Sequence, residues 1–211
     1  MAQTSDREAL VATGVAAVRA ADPAMATFID RAGPFEPRAG TGDYFAALAR
    51  SIMYQQLAGR AAAAIHARFV IAIGGSVTPQ AVLSTSPEDL RAAGLSGNKT
   101  AAILDLATKA SDGTVPLAEL DSLSDDEIVA RLSTVRGIGR WTAEMFLMFQ
   151  LRRLDVWPVD DYGIRKGWAL VHGLKEPPAP RPFTAEGEKF RPYRSVAAWY
   201  LWRAVDAVAP I

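Results

Sequence analysis

The chain has 211 residues, half of them apolar, so it can bury a sizeable core as one domain or as two small ones sharing a face. Its 23 Lys and Arg are balanced by 23 Asp and Glu, so no global field marks a nucleic-acid binder and any such function must rest on local clustering of charge. There is no cysteine, which excludes a disulfide framework, an iron–sulfur cluster, a thiolate zinc site and a cysteine nucleophile. The two histidines, His66 and His172, lie far apart and read as ordinary helix residues.

The start, MAQTSDREAL, lacks a cationic segment followed by an apolar run, and no stretch approaches the roughly 18 apolar residues of a membrane span. A soluble, cytoplasmic protein with no membrane partner is the expectation, nucleoid-associated if the source is bacterial.

Taken in order, the elements are helical. Residues Asp6 to Ala21 are Ala-rich and end at Asp22-Pro23, and a short helix over Ala24–Ala32 stops at Gly33-Pro34. Asp43 caps a long predicted helix in which Leu48, Ile52, Ala58, Ala62, Ile65 and Phe69 form one apolar stripe, ended by Gly74-Gly75. Ser86-Pro87 reads as a cap with proline at the first helical position, and Ser124-Asp125-Asp126-Glu127 has capping-box spacing. Lys99–Asp112 is helical between them. The four prolines of Gly173–Phe183 read as a stiff linker, after which Thr184 caps a short helix and Pro192 opens the last one, carrying Ser195, Ala198, Trp199 and Trp202. Strand-like alternation is nearly absent, so the fold class is all-α.

The segment Leu132 to Ala143, LSTVRGIGRWTA, follows a capped helix and precedes an apolar one. Two glycines around Ile138 permit a tight interhelical turn over residues 133–149, and the next helix begins with unpaired N–H groups that suit a phosphate. Residues 131–170 hold seven basic side chains against four acidic ones, a local surplus that agrees with a grip on DNA backbone. An ordinary αα-hairpin with glycines at its turn satisfies the same pattern. Downstream, Val156-Trp157-Pro158-Val159-Asp160-Asp161-Tyr162-Gly163 sets two carboxylates just before a helix, where either can be a simple N-cap.

Taken together, the hairpin of form LxxVxGIGxxTA, the Asp-Asp pair about twenty residues on, and Pro192-Tyr193-Arg194-Ser195-Val196-Ala197 resemble the helix-hairpin-helix DNA glycosylase superfamily over roughly residues 43–203. The likeness is nearest the 3-methyladenine DNA glycosylase II branch, in a compact form, since only about forty residues precede it and the larger members carry an extra N-terminal β-rich domain.

The resemblance implies two helical subdomains with the active-site and DNA-binding cleft between them: residues 1–42 with 174–211, and residues 43–173 carrying both hairpin and catalytic aspartate. It assigns catalysis to Asp161, leaving Asp160 as a cap or neighbour. Trp141, Trp202, Tyr162 and Met145 would line the base pocket, although tryptophans at helical spacing also serve as core. Leu57 would be the wedge that fills the vacated stack and Gln56 its contact to the opposite strand; another core leucine is the alternative. Arg136, Gly137, Ile138, Gly139, Arg140 and Thr142 would meet the DNA backbone, with Arg136 standing where the family often has proline. The carbonyls of Ser133, Val135 and Ile138 match positions that hold a structural monovalent cation, and no cofactor is implied for catalysis.

Bifunctional relatives carry lysine at the Trp141 position, and a tryptophan cannot form a Schiff base, so the resemblance implies a monofunctional, monomeric enzyme acting on double-stranded DNA with alkylated bases. The rivals are a non-catalytic hairpin protein and a glycosylase for another lesion. Gly94–Thr100 only glances at a phosphate loop, since it lacks glycine before the lysine, and reads instead as a helix connection whose Lys99 reaches a phosphate.

Overall fold

A computed structural model describes residues 2–37 and 40–207, with side chains from Asp6 onward. Every regular element among them is helical: α1 Ala2–Ala21, α2 Pro23–Ala32, α3 Tyr44–Tyr54, α4 Gly59–Ala72, α5 Pro79–Leu83, α6 Pro87–Ala92, α7 Gly97–Ser111, α8 Asp125–Leu132, α9 Arg140–Phe149, α10 Tyr162–His172, α11 Pro180–Gly187 and α12 Arg194–Asp206, with 3-10 turns at Leu120–Ser122 and Glu188–Phe190. None is long and apolar enough to cross a membrane.

The chain forms two compact units, residues 1–39 with 147–211, and residues 40–146. In the first, α10 packs chiefly on α12. Gly167 makes that possible, because a Cβ there would strike the Leu201 carbonyl. Ile164, Trp168, Phe183, Phe190, Val196 and Leu201 build the core around this contact. Its polar pin is the buried Asp22, which caps α2 through Ala24 N and Met25 N and takes hydrogen bonds at 2.9 Å from His172 Nε2 and Lys189 Nζ. In the second unit α7 lies against α3 and α5, and Leu48, Ile52, Phe69, Leu90, Ile103, Leu106 and Leu132 are buried.

Four expectations are corrected here. The division of the chain falls within α9, at Phe146/Leu147 and not at 173/174, because α10 is sealed to α12 at Gly167; Asp161 therefore belongs with the terminal segments. The long helix from Asp43 is two helices, α3 and α4, separated at Gln55–Ala58 where Gln56 adopts a left-handed conformation (φ 57°). The proline-rich linker ends at Ala179, since Pro180 sits in the first turn of α11, where its missing N–H costs nothing. Thr184 accordingly lies inside that helix and is not its cap. The capping box at Ser124 and the Ser86 cap are present as expected. Thr78 also caps α5, a helix too short to register in the sequence pattern.

Candidate active site and hairpin

Asp161 has extended backbone (φ −70°, ψ 115°) and is the N-cap of α10, its Oδ1 accepting the Ile164 amide at 3.0 Å. The Trp202 indole N–H, from α12, donates to the same oxygen at 3.0 Å. One carboxylate oxygen is thus fixed from two helices. Gly163 keeps the arrangement open, because a Cβ there would stand 2.9 Å from both Asp161 Oδ1 and Trp202 Cδ1. Behind the indole, Phe149 packs with its ring centroid 5.6 Å away.

Tyr162 beside the carboxylate is 61% exposed, with the Arg165 guanidinium 5.6 Å from its ring centroid. Asp160 is exposed and leaves the cap to its neighbour. Of the residues assigned from sequence, Asp161, Trp202 and Tyr162 are brought together here, and the structure adds Gly163 and Phe149. A glycine directly after Asp-Asp-Tyr was the available signal for the first, whereas nothing local marks Phe149.

The hairpin lies in the other unit. Val135 and Ile138 anchor it in the core, Ile138 N donates to Val135 O at 3.0 Å, and Gly137 takes φ 79°, which is costly for any residue with a Cβ. Side chains hold the turn from outside. Gln55 Nε2 donates to Gly137 O at 2.9 Å, Asp105 Oδ2 accepts Arg136 N at 2.7 Å, and Lys109 Nζ bridges Asp105 Oδ2 (2.8 Å) and the Thr134 carbonyl. Burial alone would raise the Asp105 carboxyl, but the Arg136 amide and the Lys109 ammonium outweigh it and hold the group below the usual carboxylate range.

Arg136 and Arg140 are exposed, with Arg136 Nη2 3.3 Å from Asn98 Oδ1 and Arg140 Nε 2.9 Å from Glu144 Oε1. Thr142 and Ile138 are buried, so their side chains belong to the core, and the Ile138 amide is already bonded to Val135 O. The carbonyls expected to hold a monovalent cation are neutral, hard donors, and Val135 O retains a second lone pair beside its bond to Ile138 N. The residues fit such an ion.

Leu57 is 38% exposed and follows the left-handed Gln56, itself exposed, a conformation that costs energy for a residue with a Cβ. Lys99 does not reach out toward a phosphate as expected. Its ammonium, with a pKa lowered by burial, caps the end of α3 by donating to Met53 O at 2.6 Å and Gln55 O at 2.8 Å. On α9, Trp141 is 45% exposed and Met145 half-buried one turn later on the same face.

Residues 49–192 match the sequence profile of the HhH-GPD superfamily of base excision DNA repair proteins, and the chain belongs to that superfamily. It is 38% identical over 159 residues to DNA-3-methyladenine glycosylase 1 of Schizosaccharomyces pombe, a match spanning 74% of this chain and 70% of that one. Among solved structures it is similar to the 3-methyladenine DNA glycosylase of S. pombe in complex with abasic DNA (TM-score 0.79, 33% identity, 90% of this chain and 95% of that one). It is likewise similar to a DNA-3-methyladenine glycosidase of Bacillus halodurans (TM-score 0.85, 34% identity, 90% and 88%).

Proposed function

We propose that this chain is a monofunctional DNA glycosylase of base excision repair, which extrudes alkylated bases such as 3-methyladenine and 7-methylguanine from duplex DNA and hydrolyses their N-glycosidic bond to leave an abasic site. The observation that carries the reading is Asp161 Oδ1 held between the α10 N-terminus and the Trp202 indole, in a chain of the HhH-GPD superfamily whose named relatives are 3-methyladenine glycosylases.

A base within a duplex is out of reach, and unstacking it costs roughly a few kcal/mol, less at a damaged pair. Leu57, displayed on the strained Gln56 loop, fills the gap, and Gln56 meets the opposite strand. The hairpin amides, with Arg136 and Arg140, hold the backbone. A cation on the Ser133, Val135 and Ile138 carbonyls would add positive charge beside a phosphate.

The alkylated purine already carries positive charge, so it leaves with the electron pair of its bond to the sugar as a neutral base. Positive charge passes to the sugar ring, where the Asp161 carboxylate stabilises it and takes a proton from the attacking water. Trp141, exposed on α9 with Met145 one turn on, stacks on the electron-poor base, and Tyr162, beside Asp161, meets the base or sugar. Trp202, expected to line the base pocket, also donates its N–H to Asp161, and we read it as a positioning residue for that carboxylate.

The test incubates the protein with methylated duplex DNA and identifies released bases by mass spectrometry. Free 3-methyladenine and 7-methylguanine, with strands intact until alkali is added, are the expected result. Strand cleavage before alkali would contradict monofunctional chemistry, and tight binding with no base released would favour a hairpin protein without catalysis. A monomer by light scattering, alone and on DNA, is the expected state.

A further inference from the structure

We propose that Asp105 and Lys109 of α7 are positioning residues for the DNA grip, tying the hairpin turn in its binding geometry before DNA arrives; the inference rests on reading the hairpin as that grip. A turn between two helices leaves backbone groups without helical partners. Here α7 supplies them. Asp105 Oδ2 takes the Arg136 amide at 2.7 Å, and Lys109, one helical turn on, donates both to that oxygen at 2.8 Å and to the Thr134 carbonyl. An acceptor and a donor on one face of α7 therefore secure a donor and an acceptor two residues apart in the turn, and Gln55 secures the Gly137 carbonyl as well.

The arrangement explains why an arginine is tolerated at position 136. A proline there would fix φ but offer no N–H; with Arg136 the backbone is freer, and Asp105 removes that freedom by bonding the amide. A turn ordered in advance does not lose that conformational entropy on binding, so affinity rises without any new contact to the ligand.

The sign of the Asp105 effect separates positioning from simple electrostatics. Removing an acidic group near bound DNA should tighten binding if charge alone matters. Positioning requires the opposite. For Asp105→Ala we expect roughly tenfold weaker binding to duplex DNA by fluorescence anisotropy, an unchanged dependence on salt, and faster hydrogen exchange at the Arg136 amide of the free protein. Lys109→Met should also weaken binding without lowering the salt slope, whereas a lysine that touches phosphate would lower it by about one.

Asp105→Asn, which keeps an acceptor for the Arg136 amide, should retain most of that amide's protection and guards against a fold defect in the alanine variant. Unchanged Arg136 exchange, or equal or tighter binding by folded Asp105→Ala, would overturn the proposal. A wild-type protein that binds no duplex DNA would instead overturn the grip itself, and would be recognised because the exchange result does not depend on DNA.

Discussion

Two bonds meet on one oxygen, Asp161 Oδ1: the amide of Ile164 fixes its height at the start of α10, and the Trp202 indole fixes its direction. Trp202→Phe keeps a ring against Phe149 but deletes the N–H. A hydrogen bond to a charged acceptor contributes about 1.5–3 kcal/mol, so the rate of base release in single turnover should fall roughly ten- to hundredfold, with DNA affinity little changed. Equal losses in affinity and rate would point to stacking on substrate instead. Asp161 itself was legible in the sequence, because its place after a proline and behind a glycine hairpin is a motif. Its bond to Trp202 was not, since the partners lie 41 residues apart and nothing local on α12 distinguishes this tryptophan from a core one.

Helix joins set what the elements can do. Gly167→Ala would drive a methyl group into the Leu201 carbonyl, where backbone cannot yield cheaply, and should destabilise the fold by about 3 kcal/mol or more in urea unfolding. The Asp22 pin joins the start of α2 to the end of α10 and to Lys189. Burial alone would raise its carboxyl, but the Met25 amide, His172 and Lys189 together lower it to about 2 from an ordinary 3.8. With the folded value depressed, its stabilisation is complete above the unfolded value and is lost as pH falls through about 2. At neutral pH it amounts to about 2 kcal/mol. Asp22→Asn should therefore be less stable than wild type at pH 7, with the gap closing as pH falls from about 4 through about 2; a gap independent of pH would show that the carboxylate charge is not what matters.

The same scale shows where helix pattern misleads. Ala58, Ala62 and Phe69 continue the period of α3 across the break, so the stripe reads as one helix. At the interruption Lys99 bonds the carbonyls of Met53 and Gln55, a contact over more than forty residues that periodicity cannot report. In the proline-rich stretch pattern misleads the other way, because prolines at 180 and 182, which suggest a linker, occupy the first turn of a helix.

For the whole molecule, formal neutrality means that DNA affinity rests on local clusters of charge, and the surplus over residues 131–170, which include the hairpin, is only three. Few phosphates are then neutralised, and the logarithm of the binding constant should fall with the logarithm of salt at a slope of about −3, each contact contributing roughly 0.9. A slope two or three times steeper would require a basic surface beyond the hairpin. Helical class, the hairpin turn and the place of Asp161 at a helix start were readable from caps, glycines and motif order. The division of the chain was not, because it depends on the close approach of α10 to α12 at Gly167, which spacing along the sequence does not encode.

The most direct test compares wild type with Asp161→Asn in single-turnover release of 7-methylguanine and 3-methyladenine from methylated duplex DNA, alongside binding to the same DNA. Asparagine caps a helix about as well as aspartate, so fold and binding should persist while release is lost by several orders of magnitude. Release by Asp161→Asn at near the wild-type rate would contradict the assignment of the chemistry to this carboxylate.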